Sequence, residues 1–225
     1  MPTKSLIFML DVSGTMQYDG KHVALMEAMR QVCEDVFPNV NPPEDLELNV
    51  RILTFGGQTT WVLGDADSGV PYTDLIWNDI KTRVPSPGGG TPIGASIKQV
   101  CDTLYRNGGV VDTEQVAPAI ILVSDGAPTD DYAGEYQRAK DLKFGIEKQG
   151  LFSRSLRATI GIGLGNDTEG QNARTMLEGF GRLSRSLKRQ GLKHFYDITV
   201  DHLDELAKIV MSMTEGFSET PDWDS

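Results

Sequence analysis

Cysteine and histidine are scarce in this 225-residue chain. There are 2 cysteines and 3 histidines, with no Cys-x-x-Cys and no histidine at ligand spacing, so a zinc site is not readable. Cys33 and Cys101 fall on apolar faces of expected helices and read as buried, reduced thiols. No apolar run is long enough to cross a bilayer, and Leu6 to Leu10 is too short for the core of a signal peptide. Basic charge is also in deficit, with 21 Lys and Arg against 32 Asp and Glu and a net charge of −11. Such a surface repels phosphate backbones and anionic membranes, so the expected setting is a soluble cytoplasmic protein with neither partner. No Walker A lysine motif and no Gly-x-Ser-x-Gly elbow is present. Gly161-Ile162-Gly163-Leu164-Gly165 lacks the third glycine of a dinucleotide loop, Asn166 standing in its place, and reads as a tight exit from a strand.

What is present is an alternation of two periodicities. Continuous apolar runs at Leu6–Leu10 and Ala119–Val123 suit strands buried on both faces, and each stops at an acid, Asp11 or Asp125. Leu46, Leu48, Val50 and Ile52 alternate toward Phe55, which predicts a strand with one more exposed face. Trp61–Leu63 reads as a short edge strand beyond Gly56-Gly57. Further strands are expected at 156–162 and 195–198. Helical spacing predicts helices over 21–37, ended by Pro38, over 132–148, around 174–187 and over 203–213. In Ser86-Pro87-Gly88-Gly89-Gly90-Thr91-Pro92, Thr91 reads as a helix N-cap and Pro92 as the first helical residue, the helix running to Asn107-Gly108-Gly109.

Strands separated by helices, two of them without a polar face, imply an α/β domain: a doubly wound, mostly parallel central sheet with helices on both faces. One domain over 1–215 and an acidic tail over 216–225 account for the chain. In such sheets ligands bind beyond the carboxyl ends of the strands, where strand order reverses. Asp11 and Asp125 therefore mark the place to look. Asp11-Val12-Ser13-Gly14-Thr15 sets three oxygen-bearing side chains at alternate positions of one loop, and Thr91 follows three glycines that permit close approach. Asp11, Ser13, Thr15, Thr91 and Asp125 together offer hard oxygen donors for Mg²⁺, with Mn²⁺ or Ca²⁺ as alternatives. Asp19, Asp130 and Asp131 read as solvated or capping acids and stay outside that set.

At these residues the chain resembles von Willebrand factor A domains, whose metal-ion-dependent adhesion site (MIDAS) has the pattern Asp-x-Ser-x-Ser, a later Thr and a later Asp. Asp11, Ser13 and Thr15 match the first group, Thr15 replacing the commoner serine with another hydroxyl. Thr91 matches the second element and Asp125 the third. The family's order of elements is followed from residue 5 to 213, which implies a Rossmann-like sheet. Thr-Phe-Gly at 54–56, the glycine-rich segment 88–94 and Ser-Asp-Gly-Ala-Pro-Thr-Asp at 124–130 resemble standalone bacterial members associated with tellurite resistance and stress response. The resemblance implies a binding module, not an enzyme, in which a protein partner supplies a Glu or Asp to the open metal position. The competing reading is a haloacid-dehalogenase-like phosphotransferase using Asp11 with Thr129-Asp130-Asp131. Against it, Ser13 stands where that class has its second Asp.

Overall fold

Five apolar residues in succession, Leu6 to Leu10, leave no polar face to turn to water, and the chain covers both sides of them. The computed structural model describes residues 3–42, 44, 46–65, 68–105, 117–144, 148–202 and 205–215. Strand β1 (Thr3–Asp11) is buried at all nine positions. Around it runs a sheet in the order β3-β2-β1-β5-β8-β9, formed by β2 (Glu47–Phe55), β3 (Thr59–Leu63), β5 (Ala119–Ser124), β8 (Leu156–Ile162) and β9 (Phe195–Ile198), with the two-residue β4 (Val70–Pro71) also on β2. β1 lies parallel to β2 and β5, β5 to β8, and β8 to β9, whereas β3 and β4 pair antiparallel with β2. The expected mostly parallel α/β sheet is therefore the observed one, and Trp61–Leu63 lies on its edge strand.

Alternate side chains of β1 enter two separate cores. Leu6, Phe8 and Leu10 join helix α1 (Lys21–Gln31), helix α2 (Trp77–Lys81) and the C-terminal helix Glu205–Glu215. Ile7 and Met9 join helix α3 (Ile93–Leu104), helix α4 (Tyr132–Asp141), the short α5 (Leu151–Arg154) and α6 (Thr168–Phe180). Cys33 and Cys101 are buried free thiols, one in each core.

Several expected boundaries move. The helix expected over 21–37 leaves α-geometry after Gln31, passing through a π-helical turn at Val32–Val36 and a 3₁₀ turn at Phe37–Asn39 that holds Pro38. The helix expected over 132–148 stops at Asp141 because Leu142 turns extended and the chain forms a small antiparallel pair, β6 (Lys143–Phe144) with β7 (Lys148–Gln149). The helix expected around 174–187 begins at Thr168, capped by the Asp167 carboxylate, and ends at Phe180. The backbone of Arg182 then bridges that of Arg157, and a separate α7 (Arg185–Arg189) follows. The last helix, α8, covers Glu205–Glu215; Leu203, the 107–109 helix end and the acidic tail fall outside the described residues. The more exposed face expected of β2 is closed. Arg51 donates to Ser5 Oγ at 2.6 Å and to the Asp65 carbonyl at 3.1 Å under the loop that follows β3.

Arg157 in β8 shows how a charged residue occupies a buried strand. Its guanidinium donates to the carbonyls of Phe180 (2.7 Å) and Phe152 (2.6 Å) and lies 4.9 Å from the Phe152 ring centroid. Phe152 and Phe180 meet edge to face at 6.0 Å, and Tyr136 lies 5.8 Å from Phe180. Phe180→Ala removes the ring that closes this cluster and is expected to lower the unfolding free energy by about 3–5 kcal/mol. Urea denaturation checks it, and a loss below about 1 kcal/mol would show that the cluster collapses onto the gap without penalty.

Candidate metal centre

From β1 the chain runs to β2 on one side and later to β5 on the other, so strand order reverses between β1 and β5. Leu10 pairs with Val123 at that point, and Asp11 and Asp125 leave the sheet side by side. The loop after Asp11 is laced to two others. Gly88 N donates to Val12 O at 2.8 Å, Gly14 N to Gly89 O at 2.9 Å and Gly57 N to Gly88 O at 2.8 Å. Gly89 adopts φ +73°, and a Cβ there would stand 2.3 Å from Gly57 Cα, so no other residue fits without moving the lacing.

The Asp11 carboxylate is fully buried. Oδ1 accepts from Ser13 N at 2.7 Å and Oδ2 from Ser124 Oγ at 2.6 Å. Burial pushes its pKa up to about 6, opposed by the bonds from Ser124 and Ser13 and assisted by the nearby Asp125 charge. Thr15 Oγ1 donates to Asp125 Oδ1 at 2.7 Å and stands 3.0 Å from Ser13 Oγ. Since the Thr15 proton goes to the carboxylate, Ser13 is the donor of the second bond, which leaves lone pairs on both hydroxyl oxygens. Thr91 is held by its backbone, its N–H donating to Thr129 Oγ1 at 2.9 Å and its carbonyl accepting from Thr129 N at 3.0 Å. A Cβ built on Gly126 would lie 3.8 Å from Thr91 Oγ1 and 4.0 Å from Thr15 Oγ1, so both hydroxyls border one space above Gly126.

All five residues expected from the sequence thus come together. Thr91 does so in another role than the N-cap expected of it: α3 starts at Ile93, Pro92 is at the cap position, and Asp130 accepts from Gly94 N (2.9 Å) and Ala95 N (2.7 Å). Asp131 accepts from Gly134 N and caps α4. Asp19 lies exposed on the turn before α1 with φ +56°. Gly163 turns left-handed (φ +56°) directly after β8, as expected of a strand exit at the carboxyl edge. Among the described residues no three His, Cys, Asp or Glu side chains cluster as metal ligands, so a cation here must use hydroxyls.

Sequence reasoning missed two participants. Ser124 bonds Asp11 from the neighbouring strand, and its place before Asp125 at a strand end was the available signal. Lys21 donates from Nζ to Asp125 Oδ2 at 2.9 Å, and it is the first cation after Asp11 in the sequence.

No protein-family model matches the chain, and no curated protein sequence matches it. Solved structures do. A von Willebrand factor type A protein from Catenulispora acidiphila superposes with a TM-score of 0.64 at 15% identity, over 95% of this chain and 43% of that one. The von Willebrand factor domain of the type V pili tip protein Mfa5 from Porphyromonas gingivalis gives 0.62 at 12% identity, over 100% and 98%. The fold is that of a von Willebrand factor type A domain. Proximal thread matrix protein 1 of the mussel byssus, in a structure with zinc in its MIDAS motif, gives 0.64 at 19% identity over 93% of this chain and 47% of that one. The chain spans less than half the length of the mussel and Catenulispora chains. In this type A fold no helix among the described residues is long and apolar enough to cross a membrane.

The geometry gives Asp130 a capping role, with both carboxylate oxygens on amides of the first turn of α3. Asp130→Ala is expected to lower stability by about 0.5–2 kcal/mol, the range for a lost helix cap, and to leave divalent-cation affinity unchanged. Thermal melts and titration calorimetry check both parts, and a fall in affinity with unaltered melting would add Asp130 to the ligand set.

Proposed function

We propose that residues 1–215 form a metal-dependent protein-binding module. The observation that carries this reading is the convergence of the Ser13, Thr15 and Thr91 hydroxyls with the Asp11 and Asp125 carboxylates at the strand-order reversal. The donor set is hard, oxygen-only and poor in charge, which suits Mg²⁺ first and Mn²⁺ or Ca²⁺ next. Ser13, Thr15 and Thr91 would hold the cation directly, with Asp11 and Asp125 direct or through water. When bound, such a cation supplies a Lewis-acidic point of positive charge at the surface.

The chain's own residues prepare that point. Ser124 and the Ser13 amide fix the Asp11 carboxylate, and Thr15 directs its proton to Asp125, which would leave an oxygen lone pair available to a cation. Thr15 is exposed, so the site opens to solvent at that residue. Among the described residues two carboxylates, Asp11 and Asp125, border the site, and an external Glu or Asp from a partner would complete the set of a bound cation. The acidic surface repels anions that lack this anchor, which favours a carboxylate set in a neutral or basic partner surface. The zinc-occupied MIDAS motif of the mussel protein supports a divalent cation at this position of the fold. The resemblance of the motifs at 54–56, 88–94 and 124–130 to bacterial members supports a setting in a tellurite-resistance or stress-response system.

A binder fits better than the phosphotransferase alternative. Asp130 and Asp131, the acids that class would use beside Asp11, both cap helices.

Metal at about a hundredfold excess over its dissociation constant stabilises a folded protein by about 2.7 kcal/mol. For a chain of this size that raises the melting temperature by roughly 5–10 °C. Asp11→Ala is expected to abolish this shift, and with it the Mg²⁺-dependent pull-down of a partner that chelator also abolishes. Capture that persists unchanged in the variant or in chelator would overturn the metal-bridged reading, and divalent-dependent turnover of an aryl phosphate lost in Asp11→Asn would replace it with the enzyme.

A further inference from the structure

Asp125 has a partner that a metal-binding role does not require. Lys21 Nζ donates to Oδ2 at 2.9 Å while Thr15 occupies Oδ1. The pair is sheltered, with 13% of the lysine side chain and 0% of the aspartate side chain exposed. A cation in the first turn of a helix opposes the positive end of the macrodipole. Lys21 is the first residue of α1, a helix with no acid in its first turn and no side-chain cap, so its own helix gives the ammonium no compensation. The surroundings bring it to the site all the same. Asp19 (φ +56°) and Gly20 (φ +73°) turn the backbone left-handed just before it, and its stem passes the loop after β8, where a Cβ on Gly163 would stand 3.4 Å from Lys21 Cε.

We propose that Lys21 is a built-in counter-charge that competes with the divalent cation for the Asp125 carboxylate and so sets the metal affinity of the site. Without metal, the ammonium neutralises one of two adjacent carboxylates, in company with the Thr15 hydroxyl. A dication entering above Gly126 meets a carboxylate already paired and a like charge close to it. Binding therefore requires the ammonium to withdraw, and the site fills only where divalent cation is plentiful or where a partner's carboxylate adds its own attraction. This rests on the metal-binding reading of the preceding subsection and adds to it a residue that tunes occupancy.

Calorimetric titration of Mg²⁺ and of Mn²⁺ into the metal-free full chain tests it, at one fixed ionic strength, with wild type, Lys21→Met, which keeps the stem, and Lys21→Gln, which also keeps a donor. Both variants are expected to bind about tenfold more tightly or better, the scale of one unit charge removed from beside a partly buried dication. In chelator both are expected to melt below wild type, because Asp125 loses its ion pair, and saturating metal is expected to close that gap. Lys21→Arg, which keeps the charge, is expected to bind no more tightly than wild type. Equal or weaker binding in the folded Met and Gln variants would overturn the competition. If wild type itself shows neither heat nor a melting shift with either cation, the metal site fails, and the inference built on it falls for that separate reason.

Discussion

Two carboxylates brought together at the end of a buried sheet set the terms for everything near them. Asp11 is buried because β1 is covered on both faces, and Asp125 is beside it because β5 is the next strand across the reversal of strand order. Like charges in a medium of reduced dielectric repel, and each also loses solvation. The surrounding groups answer these two penalties. Ser124 and the Ser13 amide bond Asp11, whereas Thr15 and Lys21 bond Asp125. The amide is permanent, the hydroxyls can also serve as ligands, and the ammonium can leave. A site with these properties satisfies both carboxylates from within the chain and, on the proposed reading, retains the lone pairs and charge to take a cation.

The loop lacing follows from the same demand. On the proposed reading the hydroxyls would be weak ligands, placed by the backbone and not drawn in by the metal. The bonds from Gly88 and Gly14 join the loop after β1 to the glycine-rich loop, and the two hydrogen bonds between Thr91 and Thr129 join the latter to the loop after β5. Asp130 completes the arrangement by bonding the first free amides of α3, which anchors the helix that follows Thr91 to the strand that carries Asp125. The acid at 130 thus acts on the site through the backbone.

Which parts of this were readable from the sequence follows from the range of the interactions involved. Asp11 and Asp125 were legible because an apolar run that ends in an acid marks a strand's carboxyl edge, and the spacing of Ser13 and Thr15 is local to one loop. The α/β class was legible from periodicity alone. The helix ends were not, since they answer to distant partners. The stretch after Gln31 widens to a π turn while Val32, Cys33 and Val36 are buried in the same core as α8, and α6 stops at Phe180 where the backbone of Arg182 pairs with that of Arg157. The closed face of β2 was hidden for a similar reason, because Arg51 is neutral to periodicity until Ser5 and the Asp65 carbonyl are seen to receive it.

Lys21 is the clearest case of information that no local pattern carries. It lies 104 residues from Asp125, at a helix position that local electrostatics disfavours, and a reading of α1 alone would assign it to solvent. Only the reversal of strand order explains it, since that reversal places the start of α1, the end of β5 and the exit of β8 around one point. A hydroxyl on the loop after β1 and a lysine on the first helix then bond the same carboxylate, and a threonine on the glycine-rich loop borders the same space above Gly126. The site is therefore a property of the topology as much as of the motif, and the charge it presents depends on a residue outside that motif.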